Sequence, residues 1–148
     1  MQLIAQNRKV WFEYHILERI EAGIVLNGDE VKAMRAGHCS LVDSFARMDR
    51  GEAVLYKMNI PEYKSSCSFK SDPVRDRILL LHTREIAKLH DKTKTKGITI
   101  VPTKIYFNDK GHIKIELALC QGKKQYDKRE AKKSADVKRE IARHLKTH

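Results

Sequence analysis

Residues 112–119, HIKIELAL, alternate between polar and apolar side chains. Ile113, Ile115, Leu117 and Leu119 occupy one set of alternate positions, and the polar residues occupy the other. Because successive side chains of a strand point to opposite faces, the pattern predicts a strand with one buried and one solvated face. Alternation of this kind is typical of antiparallel sheets, since parallel sheets bury both faces. The segment favours a small antiparallel β domain.

Four other segments have the β-branched and aromatic residues of strands: 10–26, 41–48, 53–60 and 98–107. Gly23 interrupts the first of them and predicts a bulge or bend. Residues 49–51, Asp-Arg-Gly, predict a hairpin turn between the second and third. Pro102 lacks an amide donor and breaks the alternation of the fourth, so a bulge or sheet edge is expected there.

Two segments predict helices. Residues 27–37 have Asp29 as a candidate N-cap and Gly37 as a terminator, and residues 83–94 have apolar residues at helical spacing. The polar residues 61–77 predict a long loop, and 78–81 is a short apolar run. Five or six short strands with two helices suit a small barrel of OB-like or SH3-like type, because closure removes exposed sheet edges.

Composition excludes several classes of protein. With 148 residues the chain suits a single domain, and it lacks the apolar run that a membrane helix or a signal peptide needs, so we expect a cytoplasmic protein that makes no membrane contact. The three cysteines are far apart and predict reduced thiols. No paired Cys/His motif, nucleophile elbow or phosphate loop occurs, which argues against a metal site and against catalysis.

Charge is the strongest functional signal. The net charge is +11, and residues 122–148 contribute +6 through ten basic and four acidic residues. A field of this sign attracts nucleic acid or an anionic membrane. In the same segment Val137, Ile141 and Leu145 form a narrow apolar stripe at helical spacing. We expect a tail that is disordered when free and helical when bound. A calmodulin-type or membrane-surface helix has a similar pattern.

Longer motifs identify a family. The sequence contains NRK at 7–9, EAGIVLNGDEVKAMRAG at 21–37, LVDSFARM at 41–48, LLLHTREI at 79–86 and LALCQGKKQYDKRE at 117–130. In this order and spacing they resemble the small protein B, or SsrA-binding protein, family of bacterial ribosome rescue. The resemblance extends from Asn7 to Lys146.

The resemblance implies an OB-type barrel over residues 1–121 with flanking short helices, followed by a basic C-terminal tail over 122–148. It implies an RNA-binding protein without enzymatic activity or cofactor. The implied partners are the tRNA-like domain of transfer-messenger RNA and the ribosome, where the tail enters the empty mRNA channel and reaches the 16S rRNA decoding centre. Elongation factor Tu with GTP is implied as an indirect partner, through the RNA.

The resemblance also carries site residues over, position by position. Residues implied to form or support the RNA-binding surface are Asn7, Arg8, Glu21, Lys32, Arg35, Leu81, Thr83, Lys123 and Lys124. Residues implied to act in the tail and at the decoding centre are Gly122, Tyr126, Asp127, Lys128, Arg129 and Leu145. The sequence departs from the family pattern at Ala33, at Phe45, at Asp76 and in the loop at Ser66-Cys67.

Two other functions remain open on sequence alone. A general basic OB protein of the ribosome would have the same fold without preference for one RNA, and competition between RNAs would distinguish it. An RNA-processing enzyme would use the scattered His and Glu residues, and loss of RNA integrity on incubation would reveal it.

Overall fold

The computed structural model describes residues 1–62 and 70–123, and after them Arg129, Lys133, Asp136 and Arg139. Residues 2–122 of this part of the chain include seven strands and three helices, where the sequence predicted five or six strands and two helices. In chain order the elements are β1 (Gln2–Gln6), α1 (Lys9–Glu13), β2 (Tyr14–Ile24), α2 (Gly28–Arg35), β3 (Phe45–Asp49), β4 (Glu52–Tyr56), β5 (Arg77–Leu80), α3 (Thr83–Thr93), β6 (Ile98–Phe107) and β7 (Ile113–Gly122).

The strands form one antiparallel sheet in the order β1-β6-β3-β4-β5-β2-β7, and β6 also pairs with β7. The pairings therefore return to β6, which gives a near-barrel of six strands. Strand β1 lies outside this ring and pairs with the second half of β6, from Lys104 to Phe107. The prediction of a mainly β, antiparallel domain with short flanking helices is confirmed.

The interior of the near-barrel is apolar. Ile115 and Leu117 of β7, Ile100 and Ile105 of β6 and Leu55 of β4 are completely buried. Burying a side chain of this size stabilises the fold by roughly 1.5–3 kcal/mol. The alternation at 112–119 thus predicted the inward face of β7 correctly.

Two predicted backbone features, the turn at 49–51 and the bulge at Pro102, are confirmed. Arg50 and Gly51 have positive φ angles, 50° and 78°, and form the tight turn between β3 and β4. The register of β6 against β7 shifts between Pro102 and Lys104, so Thr103 is the extra residue of a bulge. Because both of its central residues have positive φ, the Arg50-Gly51 turn matches the right-handed twist of β3 and β4.

The prediction of a strand from residue 10 was wrong at its start. Lys9–Glu13 is a short helix, and β2 begins only at Tyr14. The helix buries Val10 against Val101 and Cys120, on the face of the β6–β7 pair that points away from the main core. This packing overrides the strand propensity of Val, Trp and Phe, which is a weak and context-dependent preference.

The expected bulge of the first long strand also lies elsewhere. The register shift falls between Ile16 and Glu18, while Gly23 pairs regularly with Leu80 of β5 and Lys114 of β7. A Cβ atom at Gly23 would lie 3.1 Å from the Leu80 Cβ. The glycine is needed for the close approach of two strands, not for a bend.

The two predicted helices are confirmed with small changes. Helix α2 has Asn27 as its N-cap in place of Asp29, and Gly37 follows it with a φ of 82°. Helix α3 ends at Thr93, one residue earlier than predicted. Of the predicted loop 61–77, residues 63–69 lie outside the described part of the chain, and Arg77 begins β5.

Candidate RNA-binding surfaces

Helix α2 presents two cations to solvent because its opposite face is anchored. Ala33 and Met34 are each 1% exposed and pack into the core, whereas Lys32 and Arg35 are exposed. Residues three apart on a helix are neighbours on its surface. The structure therefore brings Lys32 and Arg35 together on one outward face, as the sequence predicted.

A buried ion cluster fixes the base of α2. Glu30 is 2% exposed and accepts hydrogen bonds from Arg75 and Arg77, with 2.8 Å between Arg77 Nε and Glu30 Oε2. Arg77 is completely buried and also donates to the carbonyl oxygens of Met58 and Pro73 at 2.6 and 3.0 Å. The Arg77 guanidinium makes its bonds to Glu30, Met58 and Pro73 at once because it has five donors. The cluster locks α2 to β5 and to the segment before it.

The protonation of Glu30 reflects this environment. Burial alone would raise the pKa of its carboxyl, but hydrogen bonds from Arg75, from the Asn27 amide and from Arg77 outweigh burial and hold the pKa below its ordinary value. The Glu30 carboxylate also accepts the Asn27 amide at 2.8 Å, which caps the helix. One charged group thus serves as cap and as ion partner.

A groove of about 350 Å³ lies between Arg35 of α2, Leu80 of β5 and the β6–β7 turn. His112 and Lys114 line its other side, and Leu80 is 58% exposed although it is apolar. Cations around an exposed apolar floor suit a nucleotide, because cations neutralise phosphates and the floor contacts the base or sugar. This α2 groove contains Arg35 from the predicted site, and it adds His112, Lys114 and Leu80, which sequence reasoning did not select.

Glu21 lies in β2 and is exposed. It is paired in register with Glu116 of β7, and its carboxylate accepts a hydrogen bond from the Tyr106 hydroxyl. Burial and the neighbouring Glu21 carboxylate raise the pKa of Tyr106, so this hydroxyl keeps its proton. Glu21 is therefore held in place as an acceptor on the outer surface of the sheet.

Three further predicted residues occupy different positions. Leu81 is half-buried and packs against the core, and Thr83 is the exposed first residue of α3. Asn7 is 4% exposed; its side-chain amide donates to the carbonyl oxygens of Leu41 and Pro102 at 3.3 and 3.4 Å. Asn7 can support the surface, but it does not present its side chain there.

The residues at the start of the tail are attached to α1. Gly122 is the last residue of β7 and pairs with Tyr14. The Lys123 amide donates to the Glu13 carbonyl at 2.8 Å, and its Nζ donates to the Trp11 carbonyl at 3.0 Å. Arg8, at the N-terminus of α1, is exposed.

Most predicted tail residues lie outside the described part of the chain. These are Lys124, Tyr126, Asp127, Lys128 and Leu145. Arg129 is described as helical and exposed, as are Lys133, Asp136 and Arg139. The domain boundary at 121–122 stays a prediction, although β7 continues to Gly122.

Aromatic residues and cations meet at three places that sequence reasoning missed, one of which is Lys104 Nζ at 5.7 Å from the Tyr106 ring centroid. Phe45 and Tyr56 stack across β3 and β4 with centroids 5.3 Å apart, and the Arg47 guanidinium lies 5.4 Å from the Phe45 ring. The Arg19 guanidinium lies 4.8 Å from the Trp11 ring centroid. The hairpin prediction could have indicated the first group, since it pairs Phe45 with Tyr56 in register. The sequence does not predict the contact of Trp11 with Arg19, because the bulge after Ile16 changes which face of β2 each later side chain points to.

Other site types have little support in the described residues. Within 1–62 and 70–123, no three His, Cys, Asp or Glu residues gather as metal ligands. Cys39 and Cys120 are free thiols, and burial raises the pKa of each to about 12. Among the helices of this part of the chain, none has the length and apolarity to cross a membrane.

Comparison with known proteins gives one consistent result. The family model described as "SmpB protein" matches residues 4–147. An SsrA-binding protein from Sulfurihydrogenibium sp. is 51% identical over 145 residues, which cover 98% of this chain and 95% of that protein. One from Thermosipho africanus is 49% identical over 146 residues, which cover 99% of this chain and 98% of that protein. A solved structure named "tmRNA-SmpB: a journey to the center of the bacterial ribosome" contains a chain with 44% identity and a TM-score of 0.69, covering 86% of this chain and 92% of that one.

Proposed function

The chain belongs to the SmpB protein family, and from this membership we propose that it binds the tRNA-like domain of transfer-messenger RNA and delivers it to stalled ribosomes. It is an SsrA-binding protein, a non-enzymatic partner of transfer-messenger RNA in trans-translation. The observation that carries the proposal is the match over residues 4–147, because it includes both the near-barrel and the tail. Elongation factor Tu with GTP acts in the same delivery step, through the RNA.

The α2 groove is proposed as the surface for the tRNA-like domain. Lys32 and Arg35 supply positive charge on a helix that the Glu30 cluster holds rigidly, and Leu80 supplies an apolar floor. Glu21, fixed by Tyr106, provides an acceptor for base amino groups or 2′-hydroxyls on the neighbouring strand. A rigid frame of this kind favours recognition of RNA shape over simple attraction of charge.

We assign the near-barrel to the OB type. The ring of strands closes where β6 pairs with both β3 and β7, and the second half of β6 also pairs with β1. A partly open barrel with a strand shared in this way fits that class, and OB folds bind RNA on their outer surface.

The tail is proposed to occupy the empty mRNA channel and to reach the decoding centre. It carries +6 in 27 residues, which suits a channel made of RNA. Its start is fixed, since Lys123 is bonded to α1 through two hydrogen bonds. Tyr126 follows three residues later and can stack on an unpaired rRNA base. Asp127, Lys128 and Arg129 then begin a segment that is helical in the channel, as Arg129 is in the structure.

A competition experiment tests the RNA assignment. Labelled tRNA-like domain is bound to the protein at near-physiological salt, and an elongator tRNA of similar length and charge is the competitor. The proposal expects the tRNA to compete at least tenfold less well. Equal competition would mean that only charge is recognised, and the chain would then be a general basic RNA-binding protein.

Substitution of the α2 cations should weaken this complex. We expect Lys32→Ala to lower affinity for all RNAs and to reduce the slope of log affinity against log salt by about 1, because one phosphate contact is lost. Arg35→Ala should additionally reduce selectivity for the tRNA-like domain, because a guanidinium can form planar contacts that an ammonium cannot. Filter binding over a salt series measures both effects. Lys96→Ala, on an exposed turn residue before β6, serves as the control; an equal loss in that variant would contradict a local role for α2.

Tyr126→Ala should separate the two partners. Its affinity for the tRNA-like domain is expected to stay within twofold of the unsubstituted protein, while tagging of stalled chains falls strongly, because a stacked base contributes about 1–3 kcal/mol. Tyr126→Phe keeps the ring and should retain most of the tagging. Equal losses in RNA binding and tagging would argue against a contact at the decoding centre.

A further inference from the structure

A surface distinct from the α2 groove is built around the single tryptophan of the chain. Trp11 of α1 is 40% exposed, and the Arg19 guanidinium of β2 lies 4.8 Å from the centroid of its ring. The Lys123 ammonium is held beside them by its bond to the Trp11 carbonyl. An Arg over an aromatic ring is oriented by the ring and keeps N–H donors for a further ligand. We call these three residues the Trp11 surface.

The bulge in β2 widens this surface. Leu17 sits at the register shift and is 53% exposed, so an apolar side chain lies next to the tryptophan. Together with Tyr14 and Arg19 it lines an open groove of about 470 Å³ that extends to Lys123. Apolar and aromatic area flanked by two cations is the chemistry that binds an unpaired nucleotide, since the base stacks and the phosphate is neutralised.

Negative charge at the groove is compensated. The acidic residue among its described lining is Glu18, whose two carboxylate oxygens accept bonds from Lys88 at 2.9 Å and Lys92 at 2.6 Å. Both lysines belong to α3, which is thereby fixed against β2. Because two lysines neutralise Glu18, its carboxylate does not repel a polyanion that approaches Arg19 and Lys123.

The groove beside the Trp11 surface and the α2 groove have no lining residue in common. The β2–β7 ladder begins with Tyr14 paired to Gly122, next to α1, and ends with Gly23 paired to Lys114, in the α2 groove. Arg19, in the middle of the ladder, lies four residues from Gly23, or roughly 13 Å at 3.3 Å per residue. A nucleotide stacked on Trp11 at one end of the ladder does not contact Lys114 at the other. The tail leaves the sheet at the Trp11 end.

We propose that Trp11, Arg19 and Lys123 bind one unpaired nucleotide of ribosomal RNA, beside the point where the tail enters the ribosome. The inference deepens the proposed function and rests on it, because the tail brings this end of the near-barrel to the small subunit. Stacking on the Trp11–Arg19 pair gives affinity without a strict choice of base. The α2 groove remains available for the tRNA-like domain, so the protein contacts two RNAs at different places along one strand pair.

The single tryptophan makes the test direct. Full-length protein is titrated with isolated small ribosomal subunits and, separately, with the tRNA-like domain, while Trp11 fluorescence and binding are recorded. Small subunits should quench the fluorescence. Trp11→Ala should weaken binding to small subunits about 5- to 150-fold, the range for one stacked base. Arg19→Gln should weaken it at least fivefold, while Trp11→Phe retains most of the affinity.

The control for charge is Arg50→Gln, in the turn between β3 and β4, which removes one cation outside both surfaces. It should bind small subunits within twofold of the unsubstituted protein, and all four variants should bind the tRNA-like domain normally.

The proposal is overturned if Arg19→Gln and Trp11→Ala bind small subunits as Arg50→Gln does. It is also overturned if their loss appears with the tRNA-like domain, since the nucleotide would then belong to transfer-messenger RNA. Failure of the proposed function would show separately, as equal competition by elongator tRNA.

Discussion

Arg77→Met should destabilise the near-barrel by about 3–5 kcal/mol, the usual cost of removing one partner from a buried ion pair. The arginine is 0% exposed, and its loss leaves Glu30 buried with the partly exposed Arg75 as remaining ion partner. The Met58 carbonyl would lose its bond from Arg77 as well, and the Pro73 carbonyl would keep only the bond from the Ile60 amide. Because a domain is stable by only about 5–15 kcal/mol, a loss of this size is a large share of the total. Urea unfolding followed by circular dichroism measures it.

Two companion variants show whether the buried charge is the cause. Arg75→Met removes the partner whose side chain is 27% exposed and leaves Arg77 in place, so its cost should be clearly smaller. Glu30→Gln combined with Arg77→Met removes both charges and should recover part of the stability lost in Arg77→Met alone, because no carboxylate is then left buried. A cost below about 1 kcal/mol for Arg77→Met would contradict a structural role for the cluster.

Deletion of residues 124–148 should abolish tagging of stalled chains and leave most affinity for the tRNA-like domain. The deletion starts after Lys123, so β7 and both hydrogen bonds from Lys123 to α1 remain intact. The removed segment contains most of the tail's basic residues and Tyr126, which are proposed to contact the RNA of the mRNA channel. The α2 groove contains no residue of this segment among its lining. The expected result is a protein that forms the RNA complex and fails at the ribosome.

Paired assays on one preparation measure this. Binding of the tRNA-like domain should stay within about threefold of the full-length chain, and tagging in a reconstituted translation system should fall to background. Unfolding by urea should be unchanged, which shows that the shortened chain is folded. Tagging by the shortened protein at the rate of the full-length chain would show that the tail is not the part that acts in the ribosome.

Sequence reasoning succeeded where a feature depends on neighbouring residues. The inward face of β7, the Arg50-Gly51 turn and the bulge after Pro102 follow from local rules of side-chain alternation and backbone geometry. The same holds for Lys32 and Arg35, which share a face because helical spacing places them there. These features need no knowledge of what the rest of the chain does.

It failed where distant segments decide the outcome. Residues 10–13 have the composition of a strand, but docking of Val10 on Val101 and Cys120 makes them helical. Strand β1 was missed because its pairing with β6 spans about a hundred residues of sequence. The N-cap of α2 is Asn27 because the Glu30 carboxylate accepts a hydrogen bond from the Asn27 amide. Arg75 and Arg77, more than 40 residues away in the chain, hold that carboxylate in place.

By itself, the sequence determined the antiparallel class, the positions of most elements, the family resemblance and the basic character of the tail, because these depend on local periodicity, motif order and charge. Only the tertiary structure decided how the charges are used. It buried Glu30 with Arg77 under α2, held Glu21 against Tyr106, and set Arg19 over Trp11 at the root of the tail. Such pairs join residues far apart in the chain, and their partners are chosen by the closure of the sheet, which local sequence does not encode.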